Sequence, residues 1–260
     1  GVVIGILLAR FASGALADIG GWRLVYLASA ALMVLMAGLL AHALPRQQKD
    51  GVQQSYVKLL CSIPPLFIRN SLLRNRAVLA LLIFMTFSIF WTAMVLPLRA
   101  APLLMTHTEI GLFGLAGMAG AVAANGAGRL ADLGQGERTS GFALTLMLFA
   151  WVPIALLHFS IWPVVIGVIV LDLAVQAVHV TNQSMILAER PEARSRLVAG
   201  YMVFYSIGSA SGAIASTATY GYAGWTGVCL LGAGVSAVAL IFWAITRRRG
   251  DCTAATADCA

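Results

Sequence analysis

The sorting of basic residues between long apolar runs leaves few folds open to this chain. Eight runs can be drawn, at about 1–19, 24–44, 77–98, 110–128, 141–159, 161–188, 197–220 and 225–246. Each approaches the ~20 apolar residues that carry a helix across a ~30 Å hydrocarbon layer. Of the 17 Lys and Arg residues, one alternating set of connections holds Arg46, Lys49, Lys58, Arg69, Arg74, Arg76, Arg129, Arg138, Arg190, Arg194, Arg196 and Arg247 to Arg249. The other set holds only Arg23 and Arg99, and Arg10 lies inside the first run. Positively charged connections stay in the cytoplasm. This predicts a multi-pass protein of the cell inner membrane, with both termini and the 45–76 connection cytoplasmic and residues 101–108 outside. Barrel strands would alternate polar and apolar over about ten residues, and these runs are apolar on every face.

Composition narrows the partners. With 60% apolar and 10% charged residues, the net charge of +7 does not point to nucleic acid. Basic side chains bordering apolar runs act as topology signals and headgroup contacts, so the partner they imply is the lipid bilayer. Cys61, Cys252 and Cys259 fall on the reducing cytoplasmic side, Cys229 near the start of the last run, and no spacing among the four suits zinc. Asn182-Gln183-Ser184 matches a glycosylation sequon but sits within a spanning run. Motifs for metal-dependent hydrolysis, a serine nucleophile, dinucleotide binding and phosphate cradling are all missing from the sequence. The reading is therefore no enzyme, no metal and no cofactor, and any uphill work must draw on an ion gradient.

The 45–76 segment is the one long linker. It opens polar, turns amphipathic near Tyr56 to Leu60, and meets Pro64-Pro65, which stops a helix by removing donors. It reads as a strap along the cytoplasmic headgroups. A weak repeat surrounds it. Gly21-Trp22 opens the second run and Gly224-Trp225 the eighth. Each follows a small-residue stretch and precedes an uncharged run ending in arginine, at Arg46 and Arg247. Such a repeat suggests a protein of two parallel halves. Gly111, Gly114, Gly117 and Gly120, and Gly208, Gly212 and Ser216, supply small faces that let helices approach closely.

Ionisable residues within spans are the sharpest functional signal, because each costs a few kcal/mol at mid-bilayer without a partner or water. Asp172, Gln176, His179 and Gln183 are spaced four, three and four apart, so they share one helix face. As a cavity wall, that stripe lets Asp172 accept a proton or pair with a substrate cation, with His179 and the glutamines hydrogen bonding. As packing, it is an interhelical hydrogen-bond network. Arg10 lies mid-run, too deep to reach a headgroup easily, and calls for a carboxylate or the translocation path. Phe90 and Trp91 can stack against a substrate or simply pack. Tyr201 and Tyr205, one turn apart, can present hydroxyls to the same space. Asp18, near the outer end of the first run, reads as an interfacial residue.

Gly128-Arg129-Leu130-Ala131-Asp132, with Gly136 and Arg138, resembles the short cytoplasmic loop signature of the major facilitator superfamily. The chain departs from it at Leu133, where the family usually has a basic residue. The 45–76 strap resembles that family's central loop, and Gly21-Trp22-Arg23 the join of its fifth and sixth helices. Gly5 to Arg10, Phe90-Trp91-Thr92 and Pro191 to Arg196 are similar to bacterial efflux-type members. The resemblance implies an all-α, polytopic membrane helix bundle of eight spans, with an incomplete N-terminal half and a complete C-terminal six-helix half. Residues 1–44 would be the last two helices of the first half, 45–76 the cytoplasmic central linker, 77–246 the six-helix bundle and 247–260 a cytoplasmic tail. It also implies a latch at Gly128, Arg129, Asp132 and Arg138, with Asp132 pairing to Arg129, Arg138 or a facing helix end. The chain opens on Gly1 inside an apolar run, so upstream sequence is expected, and the missing N-terminal helices would be required for activity. The expected function is a secondary active transporter of a small-molecule substrate, coupled to the proton as an antiport efflux system. A facilitated or nutrient-uptake carrier, or an inactive truncated remnant, remains open at this point.

Overall fold

The structure, a computed structural model, describes residues 2–43, 65, 67, 70–189 and 194–257. All regular structure among them is helical: α1 (Val2–Ala43), α2 (Ser71–Ala93), α3 (Val95–Arg99), α4 (His107–Ala123), α5 (Asn125–Leu130), α6 (Gly136–Phe149), α7 (Trp151–Ala155), α8 (Ile161–Glu189) and α9 (Arg194–Ala257), with a π-helical turn at Ala131–Gln135 and a 3-10 turn at Leu156–His158. Among the described residues, six stretches are long and apolar enough to cross a membrane: Ala9–Ala43, Ser71–Arg99, His107–Leu130, Leu133–His158, Ile161–Ala188 and Arg194–Arg247. The protein is thus a multi-pass membrane protein. Most of the 45–76 strap, and residues 190–193, lie outside the described residues.

Six differs from the eight runs of the sequence because two of these stretches each hold two runs. At a 1.5 Å rise per residue, the 54 residues of Arg194–Arg247 would extend about 80 Å unbroken, far beyond a ~30 Å hydrocarbon core. The helix breaks at Gly224, with φ 59° and ψ −155°. In α1 the break falls at Gly20 and Gly21, the latter at φ 68° and ψ −175°. Both backbones occupy a region that is essentially glycine-only. They fall at the two Gly-Trp steps of the sequence repeat.

Helix starts also shift from the hydropathy spans. The Asn70 side chain accepts hydrogen bonds from the Leu72 and Leu73 amides at 2.9 and 3.3 Å. This N-cap starts α2 at Ser71 and brings Arg74 and Arg76 into the helix. Thr106 and Glu109 form a reciprocal capping box at the start of α4.

Small residues set the crossings. A Cβ on Gly111 would lie 3.2 Å from the Arg10 carbonyl, and one on Gly14 would overlap the His107 carbonyl, so α1 and α4 meet backbone to backbone. Gly120 faces the α8 backbone at Ile169 and Leu173, while Gly208 and Gly212 face α2 at Leu81 and Met85. In lipid, where apolar burial between helices gains little, such close contact supplies much of the association energy. The buried core gathers α2 and α4 to α9 around Phe90, Trp151 and Trp225. Residues 29–43 of α1 are exposed almost throughout.

Candidate functional site

The α1–α4 crossing sets Arg10 against α2. Its guanidinium lies 3.9 Å from the Trp91 ring centroid and 6.0 Å from that of Phe87, positions where the negative ring face attracts a cation. Trp91 Nε1 donates to Asp172 Oδ1 at 3.1 Å. One indole therefore stands between a guanidinium on its face and a carboxylate at its N–H edge. Asp172 is 6% exposed. Gly117 of α4 makes this possible, since a Cβ there would overlap Asp172 Oδ2 and come within 3.1 Å of Trp91 Cζ2. Arg10 takes no part in the ion pairs Arg76–Glu137 and His107–Asp18.

Further along the α8 stripe, His179 faces α2 and α9 and Gln183 faces α9. His179 Nδ1 lies 2.9 Å from the Tyr201 hydroxyl, and its ring meets Phe84 edge-on at 5.0 Å. Phe84 also lies 3.9 Å from the Tyr205 ring. Gln183 lines a small void with Tyr201 and Leu197, and Gln176 is half-buried. Phe90 is fully buried, meeting Trp91, Trp151 and Trp225 edge-on. Thus Arg10, Trp91 and Asp172 come together, while His179 belongs to a neighbouring aromatic cluster and Phe90 to the core.

Arg10 and Trp91 also line a cavity of about 930 Å³ between α1 and the α2–α4 segment, with Ser13, Trp22, Tyr26, Arg99 and His107. At that end, Asp18 bridges from α1 to the start of α4. Its Oδ1 accepts from the His107 amide at 3.1 Å and lies 2.7 Å from His107 Nδ1. Its Oδ2 accepts from the Thr108 amide and hydroxyl at 2.8 and 2.6 Å. A carboxylate at a helix N-terminus meets free amides and the positive end of the dipole. The sequence reading left Asp18 as an interfacial residue because its partners lie 89 and 90 residues away.

A second network closes the opposite end, and sequence reasoning missed it. Arg76, only 3% exposed, donates to Ser140 Oγ at 2.9 Å and Asn182 Oδ1 at 3.1 Å, and pairs with Glu137. Glu137 Oε2 accepts from Trp243 Nε1 at 2.9 Å. The spans α2, α6, α8 and α9 are tied together there. Arg76 read as part of a basic linker; its place directly beside an apolar run was the available signal. In the neighbouring connection, a Cβ added at Gly128 would lie 3.0 Å from Val180 Cγ1, Arg129 and Arg138 are exposed, and Gly134 turns at φ 76°. The Asp132 side chain lies outside the described residues. Among the described side chains of this connection, Glu137 is an acid that engages neighbouring spans.

The pattern of the Major Facilitator Superfamily matches residues 1–186 and, separately, 77–253. The uncharacterised transporter YgaY of Escherichia coli O157:H7 is 47% identical over 243 residues, which is 94% of this chain and 61% of YgaY. YgaY of strain K12 is 46% identical with the same coverage. A Streptomyces coelicolor protein named "Probable transporter SCO4007" is 29% identical over 231 residues, 88% of this chain and 53% of that protein. The chain spans between half and two-thirds of the length of these relatives.

Proposed function

Because the chain belongs to the major facilitator superfamily, we propose that it serves a secondary active transporter that moves a small organic compound by alternating access. Eight segments cross the cell inner membrane, with the two Gly-Trp breaks as tight turns and both termini in the cytoplasm. Residues 1–44 belong to the first half, which further helices complete, and residues 77–246 form the second. The greater length of YgaY supports the incomplete first half, and the charge asymmetry supports the orientation. Export in exchange for protons rests on the resemblance to efflux-type members.

The observation that carries this reading is the Arg10–Trp91–Asp172 line. It joins α1, from one proposed half, to a buried carboxylate in the other. A proton on Asp172 cancels its pull on Arg10 through the intervening indole. The balance between two arrangements of α1 against α2 and α8 then shifts with proton binding. Intramembrane carboxylates of this kind mark proton relays.

Asp172→Asn keeps the acceptor for Trp91 and removes the titratable charge. In the full chain carrying this change, the protein should fold and reach the membrane. Substrate-driven proton movement in everted vesicles should disappear while exchange or downhill flux persists. An unchanged pH profile with full activity would leave Asp172 a packing residue. Flux without ion dependence in the unmodified protein would indicate a facilitated carrier instead.

A further inference from the structure

We infer that the cavity between α1 and the α2–α4 segment binds an organic anion with an aromatic or apolar body, its acidic group held by Arg10. The inference rests on the transporter reading only in making that anion the cargo; the binding itself does not depend on it.

Charge selects the class. The cavity is lined by Arg10, Arg99 and His107, with no acidic side chain among its described lining residues. Asp18 lies close by, but both of its oxygens are engaged by four donors from His107 and Thr108. Asp172 stands behind Trp91, buried, with Oδ1 taken by the indole N–H. Arg10 is half-buried and feels the charge of Asp172 across the Trp91 indole, while Trp91 and Phe87 meet its guanidinium with ring faces, which leave its donor fork for a planar acid group. Guanidinium recognises carboxylate and similar acids through paired N–H donors, a geometry that a ring face does not use up.

The walls select the body. Trp22, Tyr26 and Trp91 bring three aromatic surfaces to the same space, and Trp22 and Tyr26 stack edge-on with centroids 6.1 Å apart. A volume of about 930 Å³ is at the upper end of small-molecule sites, which run to about 1,000 Å³ and combine apolar walls with few polar anchors. An organic cation would meet Arg10, Arg99 and His107, and no acid among the described lining residues.

The test uses the purified full chain and two probes of matched shape, 2-naphthoate and 2-naphthylmethylammonium, in equilibrium dialysis. Naphthoate should bind saturably and at least about ten-fold tighter than the cation, the factor expected from one charge-assisted hydrogen-bonded pair. Arg10→Gln should erase the preference, and Arg10→Lys should keep part of it. Equal or reversed preference in the unmodified protein overturns the inference even if Arg10→Gln fails to fold. So does the absence of saturable binding, as expected if another segment of the full chain fills the space. An anion preference that survives intact in a folded Arg10→Gln variant also overturns it. Flux in proteoliposomes separates the two readings. Naphthoate that binds through Arg10 but does not cross supports the site and defeats transport.

Discussion

The two Gly-Trp turns share a backbone and differ in everything around it. Gly21 and Gly224 adopt nearly the same glycine-only conformation, and each is followed by tryptophan. Trp225 is 4% exposed, and its Nε1 donates to the Ile154 carbonyl at 3.1 Å; Trp22 is 66% exposed. The local sequence therefore dictates the turn, while burial depends on what the rest of the chain brings to it. The second turn is seated by α7 and the aromatic core. The first opens onto the cavity and onto the exposed outer run of α1, where lipid can cover apolar surface as well as protein can.

Removing the two indoles should produce the largest difference between the turns. Trp225→Ala leaves a cavity beside Phe90 and removes the hydrogen bond to the Ile154 carbonyl, a loss of about 3 kcal/mol or more. Trp22→Ala removes an exposed ring and should stay within about 0.5 kcal/mol. Thermal unfolding of the full chain in detergent should separate the two variants clearly. Similar midpoints would mean that Trp22 is buried by parts of the protein beyond the described residues, and the contrast would collapse.

Alanine at the glycines sharpens the other side of the comparison. Because the strain lies in the backbone, Gly224→Ala and Gly21→Ala should each cost about 1–3 kcal/mol, and by similar amounts. Neither added Cβ meets a neighbour within 4 Å, so packing does not enter. A marked loss at Gly224 alone, read by the same melts, would show that the turns are alike only in sequence.

How much of this was legible follows from range. The apolar runs, the small-residue crossings at Gly111, Gly120, Gly208 and Gly212, and the special character of Gly21 and Gly224 are local properties that composition and spacing carry. Helix starts were less so: Asn70 caps α2 through its side chain, a local signal masked by the basic residues after it. The shared face of Asp172 and His179 was legible, but not its division between Trp91 on one side and Tyr201 on the other. Those partners come from α2 and α9, 81 and 22 residues away. Arg76 was hidden for the same reason. Charge near a span end reads as topology until Glu137, Ser140 and Asn182 are seen to converge on it.

The smallest expected effect concerns what holds the first turn in place of a buried indole. Asp18 stands three residues before Gly21; at the matching position before Gly224 the chain has Gly221, whose added Cβ would meet nothing within 4 Å. A polar clasp thus fastens α1 to the start of α4 where apolar packing fastens α9. The clasp is partly exposed, so solvent screens it, and exposed pairs of this kind contribute little to global stability. Asp18→Ala should therefore lower the melting midpoint less than either glycine change. Its mark should be local. The His107 and Thr108 amides lose their acceptor, and their hydrogen exchange in the full chain should quicken while that around Trp225 is unchanged. Asp18→Asn, which keeps one acceptor oxygen, should fall between the two. Exchange at His107 and Thr108 that does not respond to Asp18→Ala would mean that the glycine crossing at Gly14 and Gly111 alone holds α1 in place, and the clasp would be an accompaniment rather than a fastening.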